Sequence, residues 1–415
     1  MTAFNELYRV LLKAAVEGKT QQEVEEEYPD SMDAYQLDCL LHPEKHAPIL
    51  NFGDCTCCEE ESSCISGCIF NAIRKNEEGK IFIDSSLCAG CMACVEACAG
   101  GKLTASRDTL PVLYAVRNAK GPVYALIAPA FIGQFDRDIT PGMLRSAFKK
   151  LGFAGMVEVA LFADILTLKE ALEFDKRVLK QEDFLLTSCC CPVWLAMIRK
   201  VYRQYINNIP GSVSPMIAGG RAIKLLEPDA VTVFIGPCVA KKAEARERDI
   251  SGAIDFVLTF EEIRDIFDAF KINLREMEDD ARDHSSVTGR IYAYAGGVSR
   301  AVADTVKRLN PRRKISVEAQ TADGVPACRE MLNRLKKGNL RANFLEGMGC
   351  RGGCVGGPKA VLSREKGREN AVEYGRQAAH FSPVDNPYVL EMLKRLGFDS
   401  VESLLDESGI FTRFF

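Results

Sequence analysis

The sequence has no uninterrupted apolar run of about eighteen residues, the length that a helix needs to cross a bilayer. It also has no excess of basic residues: 53 Lys and Arg stand against 57 Asp and Glu, and this balance does not favour nucleic-acid binding. Residues 1–19 contain acidic side chains and no small-residue cleavage site, so no signal peptide is expected. We therefore predict a cytoplasmic globular protein with no membrane or nucleic-acid partner.

Cysteine is abundant, with 17 in a chain of 415 residues. Nine lie between Cys55 and Cys98, three lie at 189–191, and two lie at Cys350 and Cys354. Disulfide frameworks belong to small secreted chains, and this chain is expected to be neither. Clustered cysteines in a large cytoplasmic chain instead favour iron–sulfur or other soft-metal ligation.

Composition divides the chain into three predicted parts. Residues 1–48 are predicted to be a helical N-terminal segment, because Leu7, Leu11 and Leu12 recur at helical spacing. Residues 49–107 hold most of the cysteines and few large apolar side chains. A linker is expected at about 108–121, ending at a Gly-Pro pair. In 120–415, apolar strands alternate with helical stretches, which predicts an α/β domain with a helical C-terminal segment.

The cysteines of 49–107 follow two spacings. The second group has the C-x2-C-x2-C-x3-C run of bacterial ferredoxins, whose fourth cysteine ligates the other 4Fe–4S cluster. The first group reads C-x2-C-x5-C-x3-C, with Cys57 as an alternative to Cys58. By this rule, the ligands of cluster one are predicted to be Cys55, Cys58, Cys64 and Cys98. Those of cluster two are predicted to be Cys68, Cys88, Cys91 and Cys94. A pair of zinc sites is the alternative, although zinc knuckles usually present two separated CxxC pairs.

Three further segments place cysteine beside glycine or proline, where the backbone turns sharply. They read LLTSCCCPVW at 185–194, FIGPCVAKKAE at 234–244 and FLEGMGCRGGCVGGPK at 344–359. Four cysteines from these segments suffice for another cubane. Lys241 can supply a cation or a hydrogen-bond donor to an anionic ligand there.

In this order, behind a dicluster segment, the three motifs resemble the signature motifs of the iron-only (diiron) hydrogenases over residues 50–365. The TSCCCP form of the first motif resembles a less-studied branch of that family. The resemblance implies an α/β catalytic domain built around an H-cluster, preceded by an α+β ferredoxin-like domain with two 4Fe–4S clusters. An H-cluster is a 4Fe–4S cubane linked to a diiron subsite that carries carbon monoxide, cyanide and a bridging dithiolate.

The resemblance also assigns residues to this cofactor. It implies that the cubane is held by Cys191, Cys238, Cys350 and Cys354, with Cys354 bridging to the diiron subsite. Lys241 matches a lysine that hydrogen-bonds a cyanide, and Met348 a methionine beside the subsite. Ala128 and Pro129 resemble the start of the loop over the other cyanide.

The activity that the resemblance implies is the reversible reaction 2 H⁺ + 2 e⁻ = H2. Cys190 matches the cysteine that exchanges protons with the subsite, and Glu170 and Glu173 match the outward path. The serine that usually links them falls at Pro210, so Ser212 or water is expected in its place, unless the path differs. The implied partners are H2 and protons, hydrogenase maturation proteins, and a one-electron carrier such as a ferredoxin.

The sequence departs from the usual pattern in four places. Cys189 is extra, Gly236 replaces a methionine and is expected to leave free space, Gly349 replaces an alanine, and Pro358–Lys359 replaces Gly-Gln. Two alternatives stay open: a hydrogenase-like sensory protein, and an iron–sulfur assembly factor that lacks the diiron subsite. Residues 1–100 have a net charge of −11. An acidic ferredoxin would therefore need a local basic spot such as Arg74–Lys75, or the partner is of another kind.

Overall fold

The computed structural model describes residues 3–27, 33–53, 63–77, 79–187, 190–406 and 409–415. Cys55, Cys57, Cys58 and Cys189 lie outside these residues. The helices are α1 Ala3–Val16, α2 Gln21–Glu27, α3 Ala34–Leu41, α4 Ser63–Ser66, α5 Ala93–Glu96, α6 Thr109–Asn118, α7 Pro141–Lys150, α8 Ala160–Arg177, α9 Pro192–Lys200, α10 Pro215–Leu226, α11 Ala240–Ala245, α12 Phe260–Ala269, α13 Val287–Arg290, α14 Gly297–Leu309, α15 Val325–Lys336, α16 Arg364–Arg376 and α17 Pro387–Arg395. The strands are β1 Ile49–Asn51, β2 Ile73–Lys75, β3 Ile81–Ile83, β4 Leu103–Ala105, β5 Val123–Ile127, β6 Gly155–Glu158, β7 Leu185–Leu186, β8 Val231–Gly236, β9 Phe256–Thr259, β10 Ala319–Asp323 and β11 Phe344–Met348. Within these ranges, no helix is long and apolar enough to cross a membrane.

The N-terminal segment is helical, as its apolar spacing predicts. Leu7, Leu11 and Leu12 are buried on one face of α1, which packs on α6 and α12. The guanidinium carbon of Arg107 lies 3.9 Å from the ring centroid of Tyr8, which adds a cation–π contact to this junction.

The linker expected at 108–121 is wrong, because helix α6 occupies most of it. Val112 and Leu113 are buried in the main core, and the Tyr8 hydroxyl lies 3.2 Å from Thr109 Oγ1. Helix α6 ends at Asn118, before the Gly-Pro pair, which therefore marks only a short connection to β5.

In its described residues, the cysteine-rich segment has two small antiparallel ladders and two one-turn helices. Strand β1 pairs with β4, with Ile49 opposite Ala105, and β2 pairs with β3, with Ile73 opposite Ile83. Its small apolar core includes Cys64 and receives Val239 from the neighbouring α/β domain. The cysteine side chains therefore form part of the core of this segment.

The α/β expectation is confirmed for the rest of the chain. One parallel sheet has the order β6-β5-β8-β9, and a second parallel sheet has the order β10-β11-β7. Helix α8 is buried over 13 of its 18 residues and packs against α10, α13 and α14. Hydroxyl caps start other helices in the way that sequence signals suggest: Thr140 Oγ1 accepts from Met143 N, and Ser214 Oγ accepts from Ile217 N.

The topology brings the motifs together. Cys190 and Cys191 follow β7, Cys238 follows β8, and Cys350 follows β11. The Ala128–Pro129 segment follows β5, the neighbour of β8. In parallel sheets, loops at the carboxyl ends of the strands form the usual binding site. The three cysteine motifs and the Ala128 loop all occupy such positions.

Candidate iron–sulfur and diiron site

Four cysteines from the three motifs form one electrostatically coupled group. Cys350 interacts with Cys238, Cys191 and Cys354, and Cys354 interacts with Cys238 and Cys191. Burial raises the pKa of Cys191 to about 12 and raises the pKa values of Cys350 and Cys354 well above the ordinary value. The neighbouring thiols raise the pKa values of these three cysteines further. Such a group takes the thiolate form when a bound cation compensates its charge, and four soft donors suit a 4Fe–4S cubane.

The zinc alternative concerns the cysteines of residues 49–107, and three of these, Cys55, Cys57 and Cys58, lie outside the described residues.

The backbone of the third motif is fitted closely to the first. Gly349 N donates a hydrogen bond to Cys191 Sγ over 3.1 Å, which stabilises a thiolate at that position. A Cβ at Gly349 would lie 2.6 Å from Val193 Cβ, closer than side chains normally approach. This contact explains why glycine stands where the family usually has alanine.

Three residues that a cubane does not need, Cys190, Met348 and Lys241, lie in this part of the structure. Cys190 Sγ lies 3.8 Å from Met348 Sδ, and both side chains are buried. Cys190 and Lys241 both interact electrostatically with Cys354. The structure thus brings together the three residues that the resemblance assigns to the diiron subsite.

Lys241 is held by a partner that the sequence reading missed. Its Nζ donates to Glu244 Oε2 over 2.6 Å, and both side chains are buried. Burial alone lowers the pKa of Lys241, but the Glu244 carboxylate, with Cys238 and Cys354, raises it above its ordinary value. The i,i+3 spacing on α11 was the available signal for this ion pair.

The free space expected beside Gly236 does not exist. A Cβ on Gly236 would lie 2.9 Å from Phe234 Cε1 and 3.2 Å from Ala128 Cβ. Phe234 is buried two residues earlier on the same face of β8, so its ring covers the glycine. Lys241 Nζ lies 5.9 Å from the centroid of that ring. The aromatic ring therefore forms a wall of the site in the place of the missing side chain.

The outward proton path remains a prediction. Glu170 is fully buried on α8, and Glu173 lies near Lys169 Nζ at 4.0 Å and Arg177 Nη1 at 3.8 Å. The hydroxyl of Ser212 is buried and has no hydrogen-bond partner among the described residues. A buried hydroxyl of this kind usually bonds water. That Ser212 or water replaces the missing serine stays a prediction.

The predicted ligands of cluster two also come together. Cys68, Cys88, Cys91 and Cys94 are electrostatically coupled and line one small apolar cavity. Burial raises the pKa of Cys88 to about 11 and that of Cys94 to about 12. Of the ligands predicted for cluster one, Cys64 and Cys98 lie in or against the small apolar core of the cysteine-rich segment. Cys55 and Cys58 lie outside the described residues.

The predicted ligands of cluster two and the group of four cysteines from the three motifs are neighbours. Cys91 acts electrostatically on Cys350, so the two cysteine groups are within reach of each other. A Cβ at Gly90, whose φ is 67°, would lie 2.9 Å from Ala240 Cα. Glycine therefore lets the Cys88–Cys91 loop rest on the backbone where α11 begins.

An α/β domain that gathers four half-buried cysteines at the ends of parallel strands, beside a second cysteine cage, defines an iron–sulfur protein. The family model described as "Iron only hydrogenase large subunit, C-terminal domain" matches residues 121–358. The chain belongs to this family.

Known relatives show the same resemblance at a distance. The chain is 27% identical to iron hydrogenase 1 of Clostridium pasteurianum over 275 residues, which are 57% of this chain and 48% of that protein. It is 25% identical to cytosolic iron-sulfur assembly component 3 of Rattus norvegicus over 62% of this chain and 66% of the relative. A structure of a variant of [FeFe]-hydrogenase HydA1 from Chlamydomonas reinhardtii covers 74% of this chain and 98% of its own, with a TM-score of 0.58 and 19% identity. That structure supports the fold. The chain spans about half the length of the clostridial relative.

Proposed function

We propose that the protein is an iron-only hydrogenase that catalyses 2 H⁺ + 2 e⁻ = H2 at an H-cluster. The observation that carries this proposal is the contact of Cys190 with Met348, together with the electrostatic interaction of Cys190 and Lys241 with Cys354. A cubane alone needs none of these three side chains. The name of the clostridial relative supports the same activity.

The residues present fit the cofactor. Cys191, Cys238, Cys350 and Cys354 would hold the cubane, and Lys241 with the Ala128–Pro129 segment would contact anionic ligands of the diiron subsite. When bound, that subsite supplies the chemistry that forms and cleaves the H–H bond. The protein contributes position, hydrogen bonds and a site from which bulk water is excluded.

Lys241 is suited to orient an anionic ligand. Its ammonium is fixed between the Glu244 carboxylate at 2.6 Å and the ring of Phe234. Because the surroundings are buried, a hydrogen bond from this cation is stronger than it would be in water. Phe234, Met348 and Ala128 are all buried, and they keep the surroundings dry.

Cys190 is suited to move a proton. Its thiol is buried, and Met348 Sδ at 3.8 Å is a weak acceptor that orients the S–H bond. Glu170 and Glu173, one helical turn apart on α8, are proposed as the next carriers towards solvent. General acid–base transfer by positioned groups of this kind contributes about 10²- to 10⁴-fold in rate.

Electrons are proposed to arrive singly through the cysteine-rich segment. The Cys91 and Cys350 side chains are electrostatic neighbours, which supports transfer between cluster two and the catalytic cubane. Cluster one, held by Cys55, Cys58, Cys64 and Cys98, is proposed as a second electron store beside cluster two. The maturation proteins and a cytoplasmic location belong to the same proposal.

An iron–sulfur assembly role is the second candidate, and the rat assembly component is the observation that favours it. Such a protein would keep the cubane ligands and would lack the diiron subsite. The presence of Cys190, Lys241 and Met348, which a cubane alone does not need, favours the hydrogenase over this alternative.

Infrared spectroscopy of the anaerobically matured protein separates the two functions. A hydrogenase is expected to give sharp bands of metal-bound carbon monoxide and cyanide that shift under H2. Protein produced without the maturation proteins is the matched control and should give none. Absence of these bands after proven maturation, with cubane iron still present, would contradict the hydrogenase proposal and favour the assembly role.

A further inference from the structure

A groove of about 620 Å³ lies where three parts of the chain meet. The N-terminal segment contributes Lys45, the cluster-two loop contributes Cys88, and α9 and the end of α11 supply the opposite wall. No pattern in the sequence brings these segments together. We call this site the basic groove.

Cations dominate the basic groove. Six line it: Lys45, Arg199, Lys200, Arg203, Arg246 and Arg248. Lys45, Arg203 and Arg248 are exposed, and none of the three forms an ion pair with another described residue.

Four acidic residues also line the groove; Glu44 is exposed, and the other three are neutralised from within the fold. Asp249 and Glu247 are both paired with Arg413, which is buried, and Arg199 also binds Glu247. Glu244 is paired with Lys241 inside the catalytic site. The charge that the groove presents to solvent is therefore positive, in contrast to the net −11 of residues 1–100.

The groove reaches a predicted ligand of cluster two. Cys88 lines both the basic groove and the cysteine cavity, so it lies between solvent and the predicted cluster. Lys200 Nζ donates to the carbonyls of Ser86 and Leu87, each at 3.0 Å, and Lys200 acts electrostatically on Cys88. A positive charge is thereby fixed beside the point where the cage comes closest to the groove.

An apolar rim continues from the groove. A neighbouring depression of about 300 Å³ shares Lys45, His46 and Ser85 with it and carries Tyr35 and Phe82. These two aromatic side chains are 47% and 43% exposed. Exposed aromatics beside unpaired cations are typical of protein interfaces.

We propose that the basic groove, with this rim, docks an acidic one-electron carrier protein and receives its electron at Cys88. The proposal rests on the hydrogenase function proposed above and specifies where its partner binds. The carrier loses one electron, the iron–sulfur site of this chain gains one, and no proton moves. Electrons then enter at cluster two without first crossing cluster one.

The Arg74–Lys75 spot expected from the sequence is less suitable. Arg74 already lies 3.7 Å from Asp84, and this short strand offers no comparable concentration of cations. The basic groove supplies the local positive charge that an acidic partner needs, and its cations come from residues between Lys45 and Arg248.

The test uses the full chain with its 4Fe–4S clusters loaded. The probe is an acidic flavodoxin in its hydroquinone form, because its one-electron oxidation product has a distinct red absorption. Stopped-flow mixing gives the second-order rate of electron transfer at several salt concentrations. Attractive docking predicts a rate that falls as salt rises, because screening weakens charge steering.

The test variant is the triple substitution Lys45→Glu, Arg203→Glu and Arg248→Glu. We expect its rate at low salt to fall at least tenfold, and the difference from wild type to shrink at high salt. The matched control is Lys307→Glu, Lys336→Glu and Lys394→Glu, which changes the net charge equally at exposed positions outside the groove. The control should retain the rate within about threefold, because the position of the charges, and not the net charge of the protein, is expected to determine the rate.

Equal losses in the two triple variants, or no loss in the groove variant, would overturn the proposal. Reduction by methyl viologen radical shows whether the clusters of the groove variant remain intact. If they do not, the single substitutions Lys45→Gln and Arg203→Gln replace the triple variant and are judged by the same salt dependence. The assay requires no hydrogen turnover. A failed docking site and a failed hydrogenase function therefore give different results.

Discussion

Because the Phe234 ring packs against Gly236, we predict that substitutions at these two positions have non-additive effects on the free energy of unfolding. Gly236→Met restores the residue usual in the family but places its Cβ 2.9 Å from the Phe234 ring. Overpacking of a buried site costs about 1–3 kcal/mol. Phe234→Ala removes a ring that is only 3% exposed, and such a truncation costs about 3–5 kcal/mol.

The double variant decides whether the two side chains share one space. If methionine fills the volume that the ring leaves, the double variant should be more stable than the sum of the single effects by about 1–3 kcal/mol. Urea unfolding followed by fluorescence of Trp194, the single tryptophan, measures this difference. Additivity within about 0.5 kcal/mol would refute the shared-space reasoning.

Three further predictions follow from individual contacts. Cys190→Ala should lower hydrogen turnover by at least about 100-fold while the carbon monoxide and cyanide infrared bands remain; unchanged turnover would remove Cys190 from the proton path. Lys200→Met should lower the reduction potential of cluster two by about 40 mV, equivalent to about 1 kcal/mol, because a cation near Cys88 is lost; a redox titration without a shift would contradict this electrostatic role. Burial raises the pKa of Asp164 to about 6, so the folded state holds a proton that the unfolded state has released between about pH 4 and 6. Stability relative to Asp164→Asn should therefore fall by up to about 1.4 kcal/mol per unit as pH rises from 5 to 6; thermal unfolding that shows a constant difference would contradict it.

The sequence was sufficient where spacing along the chain determines the chemistry. The three cysteine motifs and the C-x2-C-x2-C-x3-C run are local patterns, and the structure groups Cys191, Cys238, Cys350 and Cys354 at the ends of parallel strands. The alternation of strands and helices likewise predicted the α/β domain. These features depend on short-range rules that a single sequence contains.

The sequence was insufficient where side chains from distant segments share a volume. No local sequence pattern shows that the Phe234 ring covers Gly236, or that Arg413 forms ion pairs with Glu247 and Asp249. The sequence does not predict helix α6, because the Gly-Pro pair shortly after it is typical of a linker. The burial of α6 depends on α1, which lies about a hundred residues earlier in the chain. The basic groove is the clearest case, since its two walls meet only in the folded chain.

The most direct test of the central claim is exchange between D2 and water by the matured protein, followed by mass spectrometry. This reaction needs no electron carrier, so it tests the catalytic site apart from the docking groove. We predict steady formation of HD and H2 that is lost when Cys354 is replaced by alanine. Protein with infrared bands of a loaded diiron subsite that formed no HD would contradict the hydrogenase assignment.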